Sequence, residues 1–153
     1  MKLSRALAWI LSAPSDISPI PDLAAWWRGH VALAADDAIT RAALGGFAAD
    51  RFAYAFASGY QAALERLTGG PPHVRRSLCA TEERGAHPRA IACALREEED
   101  GARLRGEKRW ASLGAEADEL LVVAQAARQR GPRPELVVVA LPSARAGVRF
   151  DAL

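Results

Sequence analysis

Cysteine is scarce in this chain, with two among 153 residues, and that excludes a disulfide framework. Three histidines, His30, His73 and His87, and the cysteines Cys79 and Cys93 show no C-x-x-C or H-x-x-x-H spacing, so no metal site is expected. No run approaches the roughly 18 apolar residues that a membrane-spanning helix needs. An excess of one charge is also missing. Lys and Arg number 20 against 18 Asp and Glu, six of each up to Gly70 and fourteen against twelve beyond it. Neither half forms a basic patch, and nucleic acid is not an expected partner. The chain has no G-x-S-x-G elbow, no G-x-x-x-x-G-K-[ST] loop and no G-x-G-x-x-G turn, which removes the usual serine-hydrolase and phosphate-loop signatures. Internal repeats and low-complexity tracts are absent too.

What is present is an apolar half: 50% of residues are hydrophobic, enough to exclude a wholly disordered chain. The start, Met1 to Ala13, pairs basic residues with a short apolar run, but Leu3, Leu7, Ile10 and Leu11 fall at helical spacing. A surface helix is therefore expected rather than a signal peptide, and the cytoplasm is the expected compartment. Further helices are expected over Leu23 to Ala35 and from Asp36-Asp37 onward. Phe52, Phe56, Tyr60 and Leu64 recur at i+4, with Leu67 continuing the stripe, and Asp50 is placed to cap that helix or open its first turn. Gly59 inside the pattern predicts close approach of another backbone. Trp26 and Trp27 are expected to pack in the core or at an interface.

Beyond Gly69-Gly70-Pro71-Pro72 the period changes from 3.6 to 2. Ile91, Cys93 and Leu95 alternate before the acidic tip Glu97 to Gly101, and Ala102 and Leu104 alternate on the way back. Asp100-Gly101 between two alternating runs predicts a hairpin. Glu119 to Ala124 and Glu135 to Leu141 read as buried strands joined by a turn over Arg128 to Pro134, and Val148 to Leu153 as a final short strand. The division expected is thus a helical segment over residues 1–70 and an antiparallel β domain over 71–153. The cysteines read as buried hydrophobes, and the acidic tip as solvated.

Two polar segments stand out in the second half: T-E-E-R-G-A-H-P from Thr81, and G-E-K-R-W-A-S-L-G from Gly106. After them come A-D-E-L-L-V-V-A and L-P-S-A-R-A-G-V. Taken in that order, these motifs resemble the middle β domain of the acyl-CoA dehydrogenase family. The helical segment ending G-Y-Q-A-A-L-E-R-L resembles the end of that family's N-terminal helical domain. The likeness spans roughly Gly45 to Leu153 and is weaker over residues 1–44. It implies an α+β fold with N-terminal helices packed against an antiparallel β-barrel-like domain. It also implies FAD as cofactor and an acyl-CoA thioester as substrate.

The resemblance further implies roles for individual residues. Trp110 stands where the family packs a tryptophan on the flavin, and Ser112 where a hydroxyl bonds near flavin N5. Thr81 corresponds to the threonine that bonds the ring edge, with Leu78 and Ala80 lining the same strand. A period-2 strand over Trp110 and Ser112 would set both on one face. The family commonly reads T-E-P-x-A-G-S-D where this chain has T-E-E-R-G-A-H-P. His87 stands about where a serine often contacts substrate or cofactor phosphate. The family's catalytic carboxylate normally comes from a C-terminal helical domain that has no counterpart in these 153 residues, so no glutamate here is assigned as the base. The expected activity therefore needs a partner or a further domain. Exposed apolar surface is expected on the helices and on one side of the β domain, where a protein partner or a second copy of the chain would associate. The alternative is a noncatalytic scaffold or binding subunit that keeps the fold without FAD.

Overall fold

The computed structural model describes residues 1–13, 18–127 and 135–151. Within them the chain divides into two compact units, Met1–His73 and Val74–Leu153, and each is described by itself. The class is α+β, with four helices in the first unit and a five-stranded sheet in the second.

Helices α1 (Leu3–Ser12), α2 (Leu23–Val31), α3 (Ala38–Phe47) and α4 (Phe52–Thr68) form the first unit. Short acidic side chains start two of them. Asp22 accepts from the Ala25 amide at 2.7 Å, and Asp37 accepts from the Thr40 amide at 2.9 Å, each satisfying a donor that the first turn leaves open. Asp50 does not cap α4. Arg51 holds that position, while the Asp50 carboxylate accepts from the Ile20 amide at 2.8 Å and pairs with Arg51. The buried Arg41 joins α3 to α4 through Glu65 at 3.0 Å and reaches the Leu33 carbonyl at 3.2 Å. Among the described residues no helix is long and apolar enough to cross a membrane.

The face that α4 buries is not its aromatic stripe. Ala57, Ser58, Gln61, Ala62 and Leu64 point inward, whereas Phe52 is 84% exposed, Phe56 51% and Leu67 65%. Small side chains win the inner face because α3 comes very close there. A Cβ built on Gly45 would stand 2.7 Å from Ser58 Cβ. The close approach expected at Gly59 is therefore at Gly45, and Gly59 itself has open space beside it. The two glycines should respond oppositely to alanine. Gly45→Ala forces Ser58 aside and is expected to cost about 1–3 kcal/mol by overpacking. Gly59→Ala fills nothing and should gain up to ~1 kcal/mol of helix propensity. Urea unfolding of the two variants checks this, and equal midpoints would contradict the packing.

Strands β1 (Arg76–Cys79), β2 (Ala94–Glu98), β3 (Gly101–Arg105), β4 (Glu119–Gln125) and β5 (Leu136–Pro142) make the sheet of the second unit. The expected hairpin forms as β2–β3, with Glu98 opposite Gly101 and Glu99-Asp100 at the exposed tip. β4 and β5 pair antiparallel over their full length. The sheet is nevertheless mixed, not antiparallel throughout, and open, not closed into a barrel. β1 runs parallel to β4, from Arg76 opposite Glu119 to Cys79 opposite Val122, and β2 meets β4 in parallel at Ala94 and Gln125. The β2–β3 hairpin reverses the chain once and the loop from β3 to β4 reverses it again, so β4 runs in the direction of β1 and β2. A core of Cys79, Cys93, Ala117, Leu120, Val122 and Ala124 covers one face. No strand forms over residues 148–151. Val148 closes a turn on Arg145 and packs on the core instead. The turn expected over Arg128 to Pro134, and residues 152–153, lie outside the described residues.

Candidate functional site

Both polar segments singled out in the sequence belong to the second unit, and its fold laces them together. The Thr81 carbonyl accepts from the Arg109 amide at 2.8 Å. One residue on, the buried Glu82 carboxylate accepts from Lys108 Nζ at 2.6 Å. The same carboxylate takes the amides of Ala92 at 2.7 Å and Cys93 at 2.9 Å. Burial pushes the Glu82 carboxyl up, but Lys108 and the two amides outweigh it and hold the group below the usual glutamate range. Lys108 also reaches the Ala80 carbonyl at 3.4 Å. Neither Glu82 nor Lys108 stood out from the sequence as a site residue, although both lie inside the quoted motifs. Each looks like an ordinary surface charge until a partner 26 positions away is placed beside it.

The segment from Gly106 to Gly114 is not a strand, so alternation does not place Trp110 and Ser112. It is an irregular loop in which Trp110 and Leu113 both take left-handed backbone, φ 58° and 59°. A bulky residue in that region costs on the order of 1–3 kcal/mol and persists only where the surroundings over-determine it. Here they do. Gly106 begins the loop hard against Cys93, where a Cβ would lie 2.7 Å from the Cys93 Cα. Arg109 is tied to Thr81, Ser77 Oγ donates to the Ser112 carbonyl at 2.8 Å, and the Gly114 amide donates to Ala111 at 2.9 Å. The result is a Trp110 side chain held 73% exposed.

Trp110 and Ser112 line a broad open cleft with Cys79, Cys93, Val122 and Leu141. Leu78, Ala80 and Thr81 are half-buried and are not among its lining residues. In β1, Leu78 points to the sheet face opposite Cys79, by the alternation of the strand. The structure thus brings Thr81 to the Trp110 loop through the backbone, and leaves Leu78 on the other face of the sheet. His87 is exposed. It opens the short 3-10 turn Pro88–Ala90, with Nδ1 accepting from the Arg89 amide at 3.2 Å. No hydrogen bond among the described residues engages the Thr81 or Ser112 hydroxyl.

The two thiols and three of the loop carboxylates are engaged. Burial pushes both thiols, Cys79 and Cys93, up from their ordinary range, so they are neutral hydrophobes in the core. On the loops Glu82 is locked to Lys108, while the exposed Glu83 and Glu107 face Arg109 at 3.5 Å each. Among the described residues no group of histidines, cysteines and carboxylates is arranged to hold a metal.

No family model matches this chain, and no curated protein matches it. Among solved structures, it is similar to FMN-bound TdsC from Paenibacillus sp. A11-2, with 27% identity and a TM-score of 0.42. It is also similar to the tertiary complex of the same protein with FMN and indole, with 22% identity and a TM-score of 0.40. Each comparison covers 80% of this chain, and the chain spans 30% of the length of those structures. Likeness at that TM-score does not assign this chain to their fold.

Proposed function

We propose that the second unit supplies one wall of a flavin site, with FAD as the cofactor, in a chain related to the acyl-CoA dehydrogenases. The observation that carries this reading is Trp110: a flat ring held out by two left-handed loop residues that the neighbouring contacts keep in place. An aromatic side chain left outside the core at a backbone cost is a site feature until shown otherwise. A flavin ring needs an apolar or aromatic wall with donors at its edge, and Trp110, with the uncommitted hydroxyls of Ser112 and Thr81, fits that need. Leu78 and Ala80, which do not line the Trp110 cleft, are left out of that wall. His87, with Nδ1 accepting from the Arg89 amide, has Nε2 left to donate to a substrate or cofactor phosphate.

When bound, the flavin would accept a hydride from the β-carbon of an acyl-CoA thioester. The residues of this chain would position that ring, shield one side of it from water and bond its edge. Glu82, Glu83 and Glu107 are paired, and this reading assigns removal of the α-proton to none of this chain's residues. In this reading the base comes from a helical domain or partner chain. The exposed Phe52, Phe56 and Leu67 on α4 give such a partner an apolar surface to cover. The pairing of Glu82, Glu83 and Glu107 favours one second reading, a noncatalytic scaffold that keeps the fold without FAD.

A flavin titration separates the two. Adding the chain to FAD should quench its fluorescence saturably, and Trp110→Ala should weaken binding about tenfold, the value of an aromatic stacking contact of ~1–1.5 kcal/mol. Absence of saturable quenching with FAD or FMN supports the scaffold. Flavin binding unchanged by Trp110→Ala refutes the wall.

A further inference from the structure

The helical unit carries a second feature that the flavin reading leaves unused. A pocket of about 230 Å³, partly open to solvent, lies among Ile20, Trp26, His30, Leu33, Gly45 and Ser58. Its walls are mainly apolar, and two polar groups meet at Gly45. A Cβ there would stand 2.8 Å from Ser58 Oγ and 3.2 Å from His30 Nδ1, so the bare glycine lets both converge over its backbone. Ser58 Oγ accepts from Trp26 Nε1 at 3.1 Å, and its own proton has no acceptor among the described residues. His30 is 3% exposed and its Nδ1 has no hydrogen-bond partner among the described residues. Buried polar atoms are nearly always paired, and an exception calls for a reason.

We propose that this cavity binds a small uncharged aromatic alcohol, with its ring in the apolar space and its hydroxyl on His30 and Ser58. Size supports the ring, since an apolar cavity of roughly 150 Å³ already takes benzene. Charge selects a neutral ligand. Burial, and then the Arg41 guanidinium, push His30 down to about 4, so the imidazole is uncharged near neutrality. Arg41 itself is committed to Glu65 and the Leu33 carbonyl. A hydroxyl suits the polar end because it both donates and accepts. It therefore serves either tautomer of His30, and it can take the Ser58 proton. The imidazole is already fixed, stacked on Trp26 at 5.5 Å and on Trp27 at 5.6 Å, so binding orders little more of the protein.

The test uses p-cresol and toluene, which differ only in the hydroxyl, titrated into the whole chain. Binding is followed by the NMR signals of the Trp26 indole N–H and the His30 ring. Saturable shifts with p-cresol and about tenfold weaker binding of toluene are expected from the one polar end. His30→Phe keeps an aromatic ring in the stack and should erase the preference, and Ala25→Leu, at the cavity wall, should abolish binding of both. Equal affinity for the two probes in the unaltered chain would overturn the assignment without any variant. So would the absence of saturable shifts with p-cresol.

Discussion

Glu82→Ala is expected to destabilise the β unit by about 3–5 kcal/mol, the usual cost of removing one partner from a buried ion pair. The side chains of Glu82 and Lys108 are each 9% exposed, so water does not rescue the lysine left behind. The loss extends beyond the pair, because the Ala92 and Cys93 amides also end on that carboxylate. Those amides lead into β2, and Lys108 leads into the Trp110 loop. The variant should therefore lose flavin affinity together with stability, even though Glu82 touches no proposed flavin contact. Adding Lys108→Met should restore part of the stability, since an apolar pair replaces a lone buried charge, but not the two amide bonds. Urea midpoints of the single and double variants measure both effects. A single-variant loss below about 1 kcal/mol would show that the pair is solvated and that the loop is held by other contacts.

Acidification should weaken the helical unit through His30. Its folded pKa of about 4 lies below the ordinary histidine value of 6.5. The unfolded chain thus takes up a proton as pH falls through 6.5 while the folded chain does not. Stability from this group is complete above about pH 6.5, declines as pH falls toward 4 and declines no further below that. A shift of that size corresponds to about 3 kcal/mol by linkage. His30→Phe removes the titrating group and should flatten that part of the stability–pH curve. Glu82 acts elsewhere on the axis. Its folded pKa is lowered, so its contribution is present above the ordinary glutamate range and lost only as pH falls below it. Urea midpoints at several pH values, for the chain and for His30→Phe, give the measurement, and parallel curves would contradict the buried neutral imidazole.

Much of the secondary structure was legible because its causes are local. Asp37 caps α3 from one residue outside it, the change of period at Gly69 to Pro72 reflects a change from helix to strand, and Asp100-Gly101 lies where the hairpin turns. The two polar segments were legible as special for the same reason, being polar and glycine-containing amid apolar strands. Orientation was not legible. The i+4 recurrence of Phe52, Phe56 and Tyr60 marks a face of α4 but does not say which way it looks. The face that packs is the small one, because Gly45 of α3 meets Ser58. Likewise, Trp110 and Ser112 alternate in sequence without sharing a strand, since the loop turns at two left-handed residues whose supports come from Thr81 and Ser77.

The chain alone therefore determined where helices and strands form, where they stop, and which segments are unlike their surroundings, since capping, periodicity and turn chemistry act over a few residues. Tertiary structure decided that β1 and β4 run parallel across 43 positions, that Glu82 and Lys108 neutralise each other, that α4 turns Phe52 and Phe56 outward, and that the Nδ1 of buried His30 has no hydrogen-bond partner among the described residues. Those outcomes depend on which distant groups end up in contact. A residue's own chemistry sets what it can do in such a contact, but the contact itself is made by chain that lies far away in sequence.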